Sequence, residues 1–239
     1  MPNEFLTARG RSSRERILAQ AARLVGEKGI QNTSLEEICV AASVSKGQLY
    51  HYFANKEDLF LAVIGQQTNA VLSAQQPWLD QLDSWENLER WSASLIARQE
   101  ERQCARGCPI GELANALTDQ DEAARLMLVQ SFDQWEHYLV QGFTRMQERG
   151  ELRADANPAD LADAVMTSLQ GGFLLSKTRR TTRPLHIAFQ AAFTYVRSFV
   201  PSPEAPLSSE DPQLVRAVTE ERGKAIPGSL PVAGNAAFT

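Results

Sequence analysis

Apolar residues recur along this chain every three to four positions, and the polar residues between them mark where each run starts and stops. In SSRERILAQAARLVGEKG, Ile17, Leu18, Ala21, Leu24 and Val25 fall on one face, which predicts an amphipathic helix. Ser12 with Glu15 fits a capping box at its start, and Gly29 fits its stop. TSLEEICVAAS repeats the design, with Thr33 and Glu36 as the box and Leu35, Ile38, Cys39 and Ala42 as the stripe. SVS then turns the chain, Ser45 is placed to cap a third helix, and Asn55 a fourth that carries Leu59, Val63 and Ile64. Four helices within about 75 residues, two of them joined by a three-residue turn, make a helix-turn-helix arrangement.

The remainder is patterned the same way. Trp85, Leu88, Trp91 and Leu95 align in one segment, and Leu128, Phe132, Trp135, Leu139, Phe143 and Met146 in a longer one. Asn157 and Pro158 open a helix over about 158–177, and another spans about 183–199 before Pro201. No segment alternates as a strand would. The predicted class is all-α: an N-terminal helix-turn-helix domain over residues 12–54 and a helical domain over 55–200. Residues 201–239, rich in Pro, Gly, Ser and Ala, read as a disordered tail with a short helix over QLVRAVTEERG.

Composition narrows the function classes. Apolar residues make up 43% of the 239, enough for a sizeable core, and no apolar run approaches the roughly 18 residues that span a bilayer. No signal peptide is read at the N-terminus, and three cysteines do not make a disulfide scaffold, so a cytoplasmic protein without a membrane partner is expected. The net charge of −5 is unevenly spread: residues 1–75 carry eight Lys/Arg and seven Asp/Glu, against sixteen and twenty-two in the rest. A near-neutral head on an acidic body fits a head that meets an anion, although solvated faces vary this much by chance.

The third helix carries the candidate chemistry. At about 100° per residue, Leu49 and Phe53 of KGQLYHYF share one side and anchor it, while Gly47, Gln48 and His51 point away. Tyr50 and Tyr52 lie on the flanks and Lys46 in the first turn. A helix that reads a major groove needs polar side chains for base edges and flanking groups for phosphates. Gly47 leaves room where the backbone comes nearest, and Thr33, Ser34, Ser45 and Lys56 lie near helix N-termini, which bind phosphate through free N–H groups. Against this, Gln48 three residues after Ser45 can simply complete a capping box, and an exposed His51 can simply be solvated.

TSLEEICVAASVSKGQLYHYFANKEDLF resembles the DNA-binding region of TetR-type transcriptional regulators, most specifically over Val44 to Leu59 and in all over about residues 12–66. The resemblance implies an all-α homodimer that binds a double-stranded, pseudo-palindromic operator, usually as a repressor. It also implies a ligand-binding domain whose last two helices dimerise; on those helices Gly171 and Gly172 would permit close approach and Ala188, Ala191, Ala192 and Tyr195 offer a partly small apolar face, unless these stripes are intramolecular core. By position, Lys46 and Gln48 match base-reading residues, Tyr50 a base or phosphate contact, and Tyr52 and Lys56 phosphate contacts. Ser43 departs from the glycine that many members carry in the turn.

Trp91, Phe132, Trp135 and Phe173 are candidates to line an apolar ligand pocket, although any one of them is more commonly a core residue. In CARGCPIGELANAL, Pro109 suits a first helical position and makes Cys108 the N-cap, where the helix dipole and Arg106 favour thiolate. GCPIGELA resembles the electrophile-sensing, N-ethylmaleimide-reductase repressor branch of the family, which implies a sensor role for Cys108 and matches Lys177 to a lysine near the end of the eighth helix. Cys104 is a candidate resolving thiol, or an inert loop residue. The expected inducer is a small molecule or an electrophile, with no cofactor and no metal site. The alternatives are a ligand-independent DNA-binding regulator, or a reversible sensor of lipophilic ligands that controls an efflux pump. His51, His137 and His186 lie on different helices without metal-ligand spacing or a nucleophile elbow, so an enzyme is not expected.

Overall fold

In the computed structural model, which describes residues 7–29, 32–119 and 121–202, the apolar stripes close on one another as nine helices. The first, α1 (Ala8–Lys28), starts five residues earlier than its Ser12–Glu15 pair suggested, with Thr7 in place of Ser12 as the cap. Thr7 caps it by accepting the Gly10 N–H at 3.2 Å. Its end is as expected: Gly29 takes φ 77° and donates to the Val25 carbonyl.

The capping box of α2 (Leu35–Ala42) is Ser34 with Glu37, one residue later than the expected Thr33 with Glu36. TSLEE offers both registers, and distant partners break the tie. The Thr33 hydroxyl donates to the Gly29 carbonyl at 2.8 Å, and Glu36 is drawn to Lys46. Ser43 accepts the left-handed conformation, φ 51°, which the tight turn imposes. The Arg16 guanidinium donates to the Ala42 carbonyl at 2.7 Å and ties that turn to α1.

Ser45 and Asn55 cap α3 (Lys46–Tyr52) and α4 (Lys56–Ser73) as the sequence indicated. α4 buries Leu59, Val63 and Ile64 and packs against both α1 and the body, so it links the two. A 3₁₀ turn (Trp78–Gln81) leads to α5 (Trp85–Glu101), α6 (Pro109–Leu117) and the long α7 (Glu122–Glu148). α8 (Pro158–Arg179) and α9 (Arg183–Arg197) fold back on each other through a short turn and share the most extensive packing. Gly172 makes this possible, since a Cβ there would lie 2.9 Å from Leu185 Cδ1 and 3.0 Å from Ala188 Cβ.

One continuous core runs from Ile17 to Val196, so the described chain through Val200 is a single unit. Among the described residues there is no strand, and no helix is long and apolar enough to cross a membrane. The expected tail lies outside the described residues apart from Pro201 and Ser202.

A candidate nucleic-acid interface and a cavity beside a buried thiol

α3 is held to the body by little more than Leu49 and the following Phe53, both fully buried. Arg14 covers the Phe53 ring, its guanidinium carbon 5.3 Å from the centroid. Everything else on the helix is left to solvent: Lys46, Gly47, Gln48, Tyr50 and His51 are exposed and Tyr52 is half-buried. Tyr52 meets the His51 ring edge-on at 5.0 Å, which stiffens that flank.

Two outward side chains have internal partners. Ser45 and Gln48 form a reciprocal capping box, Oγ accepting the Gln48 N–H at 3.1 Å and Gln48 Oε1 accepting the Ser45 N–H at 2.9 Å. Lys46 Nζ pairs with Glu36 Oε1 at 2.9 Å across the turn. Its hydrogen bond holds the Glu36 carboxyl below the usual carboxylate range, and Glu36 in turn raises Lys46. Ser34 and Ser45 are the N-caps of α2 and α3 and Lys56 is the first residue of α4, with its ammonium 5.6 Å from the Phe60 ring centroid. Thr33 does not join them, because its side chain is buried and its hydroxyl is already used.

The second site lies where α4, α5, α7 and the loop before α6 meet. Trp135, Gln99, Leu95, Phe173, Cys108 and Arg102 are among the residues that wall a cavity of about 180 Å³. Phe173 and Cys108 also wall a neighbouring cavity of about 350 Å³, together with Phe132. Trp135 and Phe173 thus share one cavity wall, and the other two candidates lie elsewhere. Trp91 reaches neither cavity: it is fully buried and its indole N–H donates to Gln75 Oε1 at 2.8 Å, as a core tryptophan does. Phe132 lies on the second cavity and not with Trp135.

Cys108 is the N-cap of α6 with Pro109 behind it, as read, but the expected thiolate is not favoured. Burial pushes the thiol up from its ordinary value, and the Glu112 carboxylate adds to this. The backbone N–H groups of Gly111 and Ile110 and the Gln170 amide pull the other way with less effect. Arg106 is exposed and does not offset desolvation. Cys104 is buried in the preceding loop with φ 51°. Lys177 does not face the thiol as a free cation, because its ammonium sits 2.6 Å from Glu112 Oε1. The same oxygen accepts the Gly107 N–H at 3.0 Å.

Glu36, Gln99, Glu112 and Gln170 join these sites without any local signal in the sequence. Each matters through a partner that the fold brings from another element.

The described geometry has counterparts among known proteins. Residues 17–63 match the family model for bacterial regulatory proteins of the tetR family, and residues 85–192 match one for tetracyclin repressor-like C-terminal domains. The chain is 34% identical to the transcriptional regulator AcuR of Cereibacter sphaeroides, over 67% of this chain and 74% of that one. It is 28% identical to the transcriptional repressor DhaR of a Mycobacterium species, over 72% of this chain and 86% of that one. The crystal structure of a regulatory protein TetR from Rhodobacter sphaeroides shares the fold with a TM-score of 0.66 at 26% identity, over 77% of this chain and 98% of that one. Reduced E. coli NemR has the same fold, with a TM-score of 0.63 at 22% identity over 81% and 100% of the two chains.

Proposed function

The chain belongs to the TetR family of transcriptional regulators, and from that premise we propose that it is a dimeric repressor that a small molecule releases from a pseudo-palindromic operator. The observation that carries the DNA-binding part is the outer face of α3, a capped helix anchored by two residues with Lys46, Gln48, Tyr50 and His51 exposed. Tyr52, Lys56, Ser34 and Ser45 are the proposed phosphate contacts on either side, with Gly47 allowing close approach. Thr33 contributes through its backbone only.

Dimerisation through α8 and α9 is supported by the apolar residues they leave uncovered. Ile187, Ala191 and Tyr195 recur every four residues on α9, beside Gly171, Leu174 and Leu175 of α8. Gly171 has open space where a Cβ would project, which suits a close helix partner. Gly172 and Ala192 serve the intramolecular core instead. In the dimer the two α3 helices must sit about one turn of DNA apart, roughly 34–36 Å. A ligand acts by its different affinity for the DNA-competent and released states, through α4.

A second reading keeps an electrophile as the inducer, because Cys108 is among the residues that line both cavities. The two readings separate in one experiment. Operator DNA from the chain's own promoter is bound in a gel-shift with wild type and Cys108→Ser, with and without N-ethylmaleimide. Release of wild type alone favours the electrophile. Retention of DNA by both proteins leaves a reversible ligand, and failure to footprint any palindromic site removes the repressor reading itself.

A further inference from the structure

The body divides its cations unevenly. Residues 85–200 contain thirteen lysines and arginines, and seven of them are held in ion pairs with described carboxylates. The six without one are Arg98, Arg102, Arg106, Arg179, Arg180 and Arg183. All six fall on two segments, the end of α5 with its following loop and the turn from α8 to α9. The two segments touch: the Arg180 guanidinium donates to the Cys104 carbonyl at 3.3 Å, and the Thr182 hydroxyl donates to Glu100 Oε1 at 3.2 Å. Arg98 donates to the Ala74 carbonyl, and a carbonyl leaves the charge of either arginine intact. Within 98–106 and 179–183 the only carboxylates are Glu100 and Glu101, whereas the rest of 85–200 sets seven cations against thirteen carboxylates.

The patch adjoins the DNA-binding head. Arg106 and Lys177 share the walls of a cleft of about 340 Å³ with Ala19, Ala22 and Gly26 of α1. Glu112 shows how near the two parts are. Its Oε1 lies 2.6 Å from Lys177 Nζ, and its Oε2 lies 3.8 Å from where a Cβ on Gly26 would project. The opposite end of the bundle, where α7 and α9 end and α8 begins, is about 33 Å away along the 22 residues of α8. Arg149, Arg153 and Arg197 at that end are all paired, Arg197 with Glu89 beside Arg90. Five of the six patch arginines are exposed and Arg98 is half-buried, so the positive field of the patch projects into solvent on the head side.

We propose that this arginine patch is a second DNA-facing surface, whose field draws duplex DNA towards the heads and accelerates association with the operator. The proposal rests on the DNA-binding and α8–α9 dimer readings above. In such a dimer the turn from α8 to α9 lies beside the two-fold axis on the head side, so two copies of the patch overlook the centre of the operator. A duplex is the partner that fits, because it presents a line of charges, one per about 1.7 Å of axis. A small anion needs cations that converge, and these are spread over two exposed segments. The net charge of −5 supplies the reason for a local field: the chain as a whole repels DNA, and attraction depends on keeping positive charge on the side that approaches it.

The test is stopped-flow association of the full-length protein with a duplex footprinted from the chain's own promoter. One variant combines Arg106→Gln, Arg179→Gln and Arg183→Gln. A control combines Arg90→Gln, Arg149→Gln and Arg153→Gln, which removes the same charge from the opposite end of the bundle. At low salt the patch variant is expected to associate about tenfold more slowly, the lower end of electrostatic steering, and to dissociate at the wild-type rate. The gap is expected to narrow as the Debye length falls from about 10 Å at 0.1 M salt towards about 3 Å at 1 M. The control is expected to associate as wild type does. Arg106→Gln alone, away from the α8–α9 turn, is expected to slow association about twofold, its share of the effect on a logarithmic scale. An unchanged association rate in the patch variant would overturn the proposal, and so would equal slowing in the control, which would make net charge responsible. Faster dissociation without slower association would overturn it too. Loss of the dimer by light scattering, with Arg106→Gln unchanged, would place the arginines in the subunit interface instead. Wild-type protein that associates with no duplex of any sequence would remove the DNA-binding reading itself.

Discussion

Gln48 Oε1 accepts the Ser45 backbone N–H at 2.9 Å, so the residue best placed to read a base is also half of a helix cap. The oxygen is in use and only the two Nε2 hydrogens face outward. Bidentate recognition of adenine needs the oxygen to accept from the adenine amino group, whereas guanine O6 and N7 and thymine O4 need only a donor. Selection from a randomised operator library should therefore return guanine or thymine opposite Gln48. Gln48→Glu retains the cap acceptor and removes the donors, and should lower specific affinity by about 1–3 kcal/mol. Adenine dominating that position would show that the cap opens on DNA.

Lys46 is a donor under restraint. Its pairing with Glu36 neutralises one positive charge on the face that meets phosphates, although both side chains are exposed. Glu36→Gln should raise affinity for non-specific duplex DNA and steepen its salt dependence by up to about one in log–log slope. Thermal stability should hardly change, since exposed pairs contribute little. An unchanged salt slope would mean that DNA displaces Glu36 at no cost.

What was legible in the sequence was local. The Ser45, Asn55 and Asn157 caps, the Gly29 stop and the Leu49–Phe53 anchor each depend on residues within one helical turn, and all appear as read. Errors arose where a distant group decided. Thr33 lost its cap role to Ser34 because the carbonyl of Gly29 was within reach. Trp91 left the pocket because Gln75, sixteen residues earlier, met its indole. Cys108 was placed correctly on α6, but its ionisation depends on how deeply other helices bury it, which spacing does not report.

The assembly is testable by one charge. Ile187 is 51% exposed at the N-terminal end of the α9 stripe. Ile187→Asp should halve the mass measured by light scattering and abolish cooperative operator binding, with helical content retained by circular dichroism. A dimer that survives the change would move the interface away from α9.

Reactivity of Cys108 should follow its burial. The native thiol is shifted above its ordinary value of 9.0, so at pH 7–8 it holds its proton more tightly than an unfolded cysteine. Labelling by iodoacetamide should be well below the rate of a free thiol at pH 7.5 and should still be rising beyond pH 9. The sign of the linked stability is fixed too: the native state keeps a proton that the unfolded chain releases, so stability falls as pH rises through about 9. Rapid labelling at neutral pH that levels off below pH 8 would indicate a thiolate instead.

Glu112 joins three elements at one oxygen, which accepts from Lys177 Nζ of α8 at 2.6 Å and from the Gly107 N–H at 3.0 Å. Gly107 immediately precedes Cys108, so the carboxylate fixes the loop that positions the thiol against α6. The two bonds have different weights. The Lys177–Glu112 pair is partly exposed and screened, so Lys177→Met should cost about 1 kcal/mol or less. Glu112→Ala also strips a half-buried backbone N–H of its acceptor, which adds about 1–3 kcal/mol. Glu112→Gln keeps an oxygen for Gly107 and should resemble Lys177→Met. Denaturant unfolding of the three variants gives the ranking, and iodoacetamide labelling of Cys108 gives an independent view of the loop. Accelerated labelling is expected in Glu112→Ala alone. If Glu112→Gln destabilises and exposes Cys108 as much as Glu112→Ala, the ion pair and not the Gly107 bond holds the loop.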